Sequence, residues 1–196
     1  MGRKSLREEI LEAGLRVMLR KGYSGSSVRD VVAEADVSQG SFTNHFRSKE
    51  VFSRDVLDRY FEHVRDLVSL ALDDESLTPR QRLQRYLDII TARLKADSFE
   101  RGCLIGDFSL EAAPVSEMLR VRLSEIFLEW RGRFADCIRE AQLIGEIDTA
   151  FAPEELADFM LASWEGAILR MKVERSAAPL ERFKKIAFAT IFRQFA

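Results

Sequence analysis

The stretch SVRDVVAEADVSQGSFTNHF, Ser27 to Phe46, decides how the chain is read. It holds two short helical patterns separated by a break too brief to be a loop. In the first, Val28, Val31, Val32 and Ala35 recur at helical spacing. The hydroxyls of Ser26 and Ser27 precede them as caps, and Asp30 puts negative charge in the first turn. Ala35-Asp36-Val37 interrupts the pattern. Ser38 then caps a second helix, with Phe42 and Phe46 four apart on one face. Two helices joined by so short a turn form a helix-turn-helix, whose second helix projects into a major groove. That second helix offers Gln39, Gly40, Ser41, Thr43, Asn44 and His45. These are short side chains, rich in donors and acceptors, that reach base edges and phosphates at little entropic cost. Gly40 lets backbone approach backbone, at a cost of up to about 1 kcal/mol of helix propensity.

Outward from this segment the periodicity stays helical. A first helix runs from about Ser5 to Lys21, with Ile10, Ala13, Gly14, Val17 and Met18 on its buried face, and Gly22-Tyr23 closes it. Ser48 caps a longer helix with a stripe from Val51 to Val68. Further helices are expected from Arg80 to about Lys95, around Cys103 to Leu110, from Pro114 to about Ile144, from Pro153, and after Pro179. On the Pro114 helix the positions Met118, Leu119, Leu123, Ile126, Phe127, Trp130, Phe134, Cys137 and Ile138 face inward. Alternating β-branched runs are missing. The fold class is therefore all-α, with about nine helices: an N-terminal three-helix domain over 1–50, and a helical body over 51–196. The helix over 48–72 bridges them.

Composition narrows the function classes. Apolar residues at 46% and charged residues at 32% suit an ordered, soluble chain, and no run of about 18 uncharged apolar residues suggests a membrane span. The charged start leading straight into a helix is not a secretory signal, and two distant cysteines make no disulfide framework, so a cytoplasmic setting is expected. Residues 1–49 carry nine Lys/Arg against six Asp/Glu, whereas the rest carries 21 against 26. A mildly basic head on an acidic body suits contact with a polyanion at one end. Only His45 and His63 occur, without an HExxH, paired-cysteine metal spacing or a phosphate-binding glycine loop. No enzyme, metal site or cofactor is expected. A helical adaptor without DNA binding is the alternative reading.

Over residues 5–60 the sequence resembles the TetR/AcrR family of transcriptional repressors. The residues carrying the likeness are Ile10 through Gly22-Tyr23, Ser27 to Val32, Ala35-Asp36-Val37-Ser38, Gly40-Ser41-Phe42 and His45 to Glu50. The resemblance implies phosphate contacts by Ser27, Thr43, His45 and Lys49, and base reading by Arg29, Gln39, Ser41 and Asn44, beside Ser38 and Gly40. Asp36 stands where the family usually has Gly, and Thr43 where it usually has a phosphate-contacting Tyr. Asp tolerates a left-handed backbone better than most residues, so the turn survives. The shorter Thr43 reaches less far.

Beyond residue 60 the likeness is architectural. It implies an effector-binding domain and a homodimer through the last two helices. Leu156, Phe159, Met160, Trp164, Ala167, Ile168 and Met171, with Phe183, Ile186, Phe192 and Phe195, supply the apolar surface for that bundle. An apolar cavity among the central helices would be lined by Cys103, Phe108, Phe127, Trp130, Phe134, Met160 and Trp164. The Gly102-Cys103-Leu104 run looks like that of TetR-type regulators, some of which answer to electrophiles. The expected partners are a near-palindromic double-stranded DNA operator and a small apolar or electrophilic effector, with no membrane.

Overall fold

The computed structural model describes residues 5–192. Among them are nine α-helices: α1 (Leu6–Lys21), α2 (Val28–Ala35), α3 (Gln39–His45), α4 (Lys49–Leu72), α5 (Pro79–Ala96), α6 (Leu104–Glu111), α7 (Glu117–Leu143), α8 (Pro153–Glu174) and α9 (Ala178–Thr190). The only strand-like pairing among the described residues is a single bridge between Ile147 and Phe192. The all-α class expected from periodicity is the observed one.

The helix boundaries follow from local chemistry. Side chains of Ser5, Ser27, Ser38 and Thr78 accept backbone N–H groups at the starts of α1, α2, α3 and α5. Each satisfies a donor that the helix cannot. Ser48 does the same for α4 through Val51 N–H at 3.2 Å. Asp36 ends α2 in the left-handed region, at φ 53° and ψ 48°, as its short polar side chain permits. One start was misplaced. The long helix begins at Glu117, not Pro114, because Ser116 is the residue that caps it, accepting Leu119 N–H at 3.1 Å. Met118 is consequently 37% exposed rather than inward. Burial in α2 is also narrower than the spacing suggested, with Val31 alone fully buried.

The chain groups into two compact units. The first comprises residues 1–63 and 103–126, so α1 to α3 share a core with α6 and with the starts of α4 and α7. Ile10, Val17 and Met18 of α1 are buried, as are Phe42, Phe46, Phe52, Val56 and Leu57, and Leu104, Ile105 and Phe108 of α6. Phe42, Phe46 and Phe52 form a three-ring cluster with centroids 4.8–5.3 Å apart, an edge-and-tilt packing that rings favour. This cluster anchors α3.

The second unit comprises residues 64–102 and 127–196, with a core of Leu83, Tyr86 and Leu87 from α5, Trp130, Phe134 and Ile138 from α7, and Met160, Trp164 and Met171 from α8. α9 packs Leu180, Ala187 and Phe188 against it. Arg82, 7% exposed, donates to the terminal Leu72 carbonyl of α4 at 2.8 Å and pairs with Glu140. A cation on a helix's carboxyl end opposes the negative pole there. Helix α5 ends in a reversal with Ser98 and Phe99 both left-handed, at φ 54° and 60°. Among the described residues no helix is long and apolar enough to cross a membrane.

Candidate nucleic-acid interface

Helix α3 is seven residues long and is held by one face. Phe42 is 2% exposed, whereas Gln39, Gly40, Thr43, Asn44 and His45 are all exposed and Ser41 is half-buried. Its N-cap is closed by Ser38 Oγ, which accepts from Ser41 N at 3.1 Å and lies 3.0 Å from Ser41 Oγ. Thr43 Oγ1 donates to the Gly40 carbonyl at 3.0 Å, so its proton is committed within the helix. A Cβ built on Gly40 would meet only Ser38 Oγ, at 3.6 Å, an ordinary contact. Nothing inside the protein demands glycine there.

Ser27 stands at the start of α2 in a reciprocal capping box. Its Oγ accepts from Asp30 N at 3.2 Å, and its own N–H donates to Asp30 Oδ2 at 2.8 Å. The Lys21 ammonium, 2.6 Å from Asp30, and then the Ser27 donors hold the Asp30 carboxyl down to about 2. Arg29, next to Ser27, is exposed.

Lys49 is placed differently from the other expected contacts. Its ammonium donates to the Tyr23 and Ser26 carbonyls, both at 2.6 Å, and lies 4.5 Å from the centre of the Tyr23 ring. Burial holds its pKa below the ordinary lysine value. The same turn is gripped from α6: the Glu111 carboxylate accepts Ser24 N–H at 2.8 Å, and the Tyr23 ring meets Phe108 edge-on at 5.6 Å. Ser116 donates to Glu50, and Arg122 reaches Asp58 at 2.5 Å. These tertiary contacts span many tens of residues in sequence, and no local pattern announced them.

The seven expected effector-contacting residues are divided between the two units. Cys103 and Phe108 belong to the first unit, the other five to the second. Cys103 is 7% exposed at the N-cap of α6 and makes no capping hydrogen bond; Phe108 is fully buried. In the second unit Phe134 meets Tyr86 edge-on, the half-buried Phe127 stacks on Trp130, and Trp164 tilts against Phe183. Met160 is 1% exposed. The indole N–H groups of Trp130 and Trp164 are buried with no acceptor among the described residues. Three grooves of the second unit are lined by other residues. Two, of ≈ 560 Å³ and ≈ 430 Å³, share Phe159 and Thr190 on the α8–α9 surface. A polar one of ≈ 550 Å³ is lined by Arg82, Arg133, Cys137 and Glu140. Cys137 donates to the Pro79 carbonyl at 3.5 Å, and burial pushes its thiol up to about 12.

Comparison with known proteins accords with this geometry. The description "Bacterial regulatory proteins, tetR family" matches residues 10–55, and "Tetracyclin repressor-like, C-terminal domain" matches residues 79–187. The HTH-type transcriptional repressor DhaR of Mycobacterium sp. (strain GP1) is 44% identical over 191 residues, covering 97% of this chain and 94% of its own. The transcriptional regulator AcuR of Cereibacter sphaeroides is 33% identical over 178 residues, covering 91% and 81%. The crystal structure of a regulatory protein TetR from Rhodobacter sphaeroides superimposes with a TM-score of 0.91 at 33% identity, over 96% of this chain and all of that one. Both the head that exposes α3 and the helical body are thus accounted for by one lineage, and the chain belongs to the TetR family of bacterial transcriptional regulators.

Proposed function

We propose that the protein is a transcriptional repressor that leaves its operator when a small effector binds. Residues 1–50 read DNA, residues 51–196 bind effector and dimerise, and the helix over 48–72 couples the two. The observation that carries the reading is the exposed polar face of α3, pinned from behind by Phe42. Gly40 adds to it, since packing inside the chain gives no reason for glycine while close approach of a DNA backbone does. Gln39, Ser41, Asn44 and Arg29 are the base readers. Ser27, Thr43, His45 and Lys49 contact phosphate, beside Ser38. The adaptor alternative leaves the exposed polar face of α3 without a role.

The dimer forms through α8 and α9. Phe159 and Ile186 are 58% and 55% exposed, and the two grooves that meet at Phe159 and Thr190 give a second copy an apolar seat. Phe195 lies outside the described residues. In the dimer, two recognition helices about 34–36 Å apart meet successive major grooves of a near-palindrome. The effector site is placed in the α7–α8 core, around Trp130, Phe134, Met160 and Trp164. Two buried indole donors without acceptors favour an effector that is largely apolar but carries an acceptor atom. Effector selects a conformer with α4 displaced and the recognition helices respaced; a hundredfold loss of DNA affinity needs about 2.7 kcal/mol of coupling. The protein works in the cytoplasm and without catalysis.

The test is to recover bound duplexes from a random pool. Selective binding with a steep salt dependence is expected, and Asn44→Ala should relax base preference by about 1–3 kcal/mol at one position. A pure protein that ignores every duplex overturns the reading.

A further inference from the structure

The turn over residues 22–26 joins α1 to α2 and is held from two sides. From α4, the Lys49 ammonium donates to the Tyr23 and Ser26 carbonyls, both at 2.6 Å. From α6, the Glu111 carboxylate accepts Ser24 N–H at 2.8 Å, and Phe108 meets the Tyr23 ring edge-on. All of these residues belong to the first unit. The carboxylate occupies the space that a side chain on Gly22, the C-cap of α1, would fill. Its seat is therefore built by the turn itself.

A lysine ammonium carries three N–H donors in a tetrahedral array. With the bond to Cε and two donors directed at fixed carbonyls, the direction of the third is set as well. The turn thus aims the one donor of Lys49 that remains for a phosphate, and neither carbonyl loses its partner when that contact forms. Whatever moves the turn moves the aim. Ser24 stands between the two carbonyls in the chain, and the acceptor of its N–H lies 87 residues away on α6. Charge gives no reason for a carboxylate there, because a negative group near a phosphate contact repels the ligand. Geometry does.

We propose that Glu111 is a positioning residue for DNA binding: by holding Ser24 it fixes the turn whose carbonyls direct the third N–H of Lys49 to a backbone phosphate. This rests on the DNA-binding reading of α3 and on the phosphate contact of Lys49 within it. Helix α6 thereby acts on a DNA contact through backbone groups of the α1–α2 turn.

Salt dependence reads the contact itself, because each phosphate neutralised adds about 0.9 to the slope of log K against log salt, whereas a general loss of stability leaves that count alone. The probe is a random-sequence duplex of about 30 base pairs, titrated by fluorescence anisotropy from about 50 to 200 mM KCl, with thermal melting of each variant alongside. For a dimer, Glu111→Ala should bind more weakly and with a slope shallower by about 1.8, so that it loses about tenfold less affinity than wild type across that range. Glu111→Gln keeps an acceptor for Ser24 N–H and should show the wild-type slope. Lys49→Met should be as shallow as Glu111→Ala, and the double variant no shallower than either, since both changes remove one and the same contact. The assignment is overturned by a wild-type slope in Glu111→Ala, by a Glu111→Gln slope as shallow as that of Glu111→Ala, or by a further fall of about 1.8 in the double variant. A wild-type slope in a folded Lys49→Met overturns it too, by removing the contact to be positioned. If Lys49→Met does not fold, the two Glu111 variants decide between them. A wild type that binds no duplex removes the DNA reading and the assignment together, whereas normal binding with an unmoved slope in Glu111→Ala removes the assignment only.

Discussion

Gly40→Ala separates what the fold needs from what the operator needs. Gly40 is the second residue of α3, its φ is not in the left-handed region, and a methyl group there would touch Ser38 Oγ at 3.6 Å without crowding. Replacing glycine with alanine inside a helix gains up to about 1 kcal/mol, and less in a first turn, so a gain of about 0.5 kcal/mol is expected. For a chain of this size that raises Tm by about 1–2 °C. The same methyl group stands on the exposed face between Gln39 and Ser41, where it holds an approaching sugar-phosphate backbone away. Even one lost bidentate base contact per subunit costs about 1–3 kcal/mol, which in a dimer is at least thirtyfold in affinity. The assay pairs thermal melting with duplex titration on the same sample. The variant should be at least as stable as wild type and bind at least about thirtyfold more weakly. A destabilised variant would mean that the glycine serves the fold, and undiminished binding would remove close approach at this position.

Four further outcomes follow from the same structure. Gly22 is the converse of Gly40: at φ 71° and ψ −177° it occupies a region essentially reserved for glycine, and a Cβ would lie 2.4 Å from the Glu111 carboxylate. Gly22→Ala should therefore cost about 2–4 kcal/mol in urea denaturation, from strain of about 1–3 kcal/mol and a weakened Ser24–Glu111 bond; a change below about 0.5 kcal/mol contradicts this. Asp30, held near 2 when folded against its usual 3.8, contributes stability that is present above pH 3.8 and lost as pH falls toward 2. Asp30→Asn should flatten that acid limb, and two parallel curves would argue against the capping box. Trp164→Phe removes a buried donor that has no acceptor, so its effect on the effector-free protein should stay within about 1 kcal/mol, against about 2–5 kcal/mol for Met160→Ala. A Trp164→Phe loss above about 3 kcal/mol, beyond what the smaller ring's cavity explains, would contradict an unsatisfied indole N–H. Cys137, with its thiol pushed up to about 12, should resist iodoacetamide in the native state at pH 8, and any electrophile-driven release from DNA should vanish in Cys103→Ser; rapid native labelling of Cys137 contradicts the first.

The head was legible because its signals are local. Ser27, Ser38 and Ser48 act within three residues of where they stand, Asp36 turns the chain at its own φ and ψ, and the Phe42–Phe46 spacing fixes which face is buried. The same locality limits how far the sequence could be read. Pro114 is a common first helical residue, yet Ser116 offers the hydroxyl that closes the cap, and cap chemistry prevailed over proline placement. The reversal at Ser98 and Phe99 carries no glycine and so gave no warning. Lys49 is a lysine at the head of an exposed-looking helix; only the approach of the 23–26 turn, more than twenty residues upstream, makes it an internal donor. The expected effector residues share bulk and apolarity with every core residue, so nothing local in the sequence sets a binding role apart from packing.

The grouping of α6 with the head couples that helix to the DNA-reading surface. Glu111 holds Ser24, Phe108 meets Tyr23, Ser116 donates to Glu50 and Arg122 pairs with Asp58, so four contacts tie residues 103–126 to the helix-turn-helix and to the start of α4. Most are charge-assisted and partly exposed, each worth roughly 0.5–1.5 kcal/mol. Together they reach the few kcal/mol that a hundredfold change in operator affinity requires, whereas no single one does. Release therefore calls for a concerted shift of α6 and the start of α7 rather than the loss of one bond. A single substitution such as Glu111→Ala should blunt the response to effector without abolishing it, and an all-or-none loss from that one change would place the coupling elsewhere.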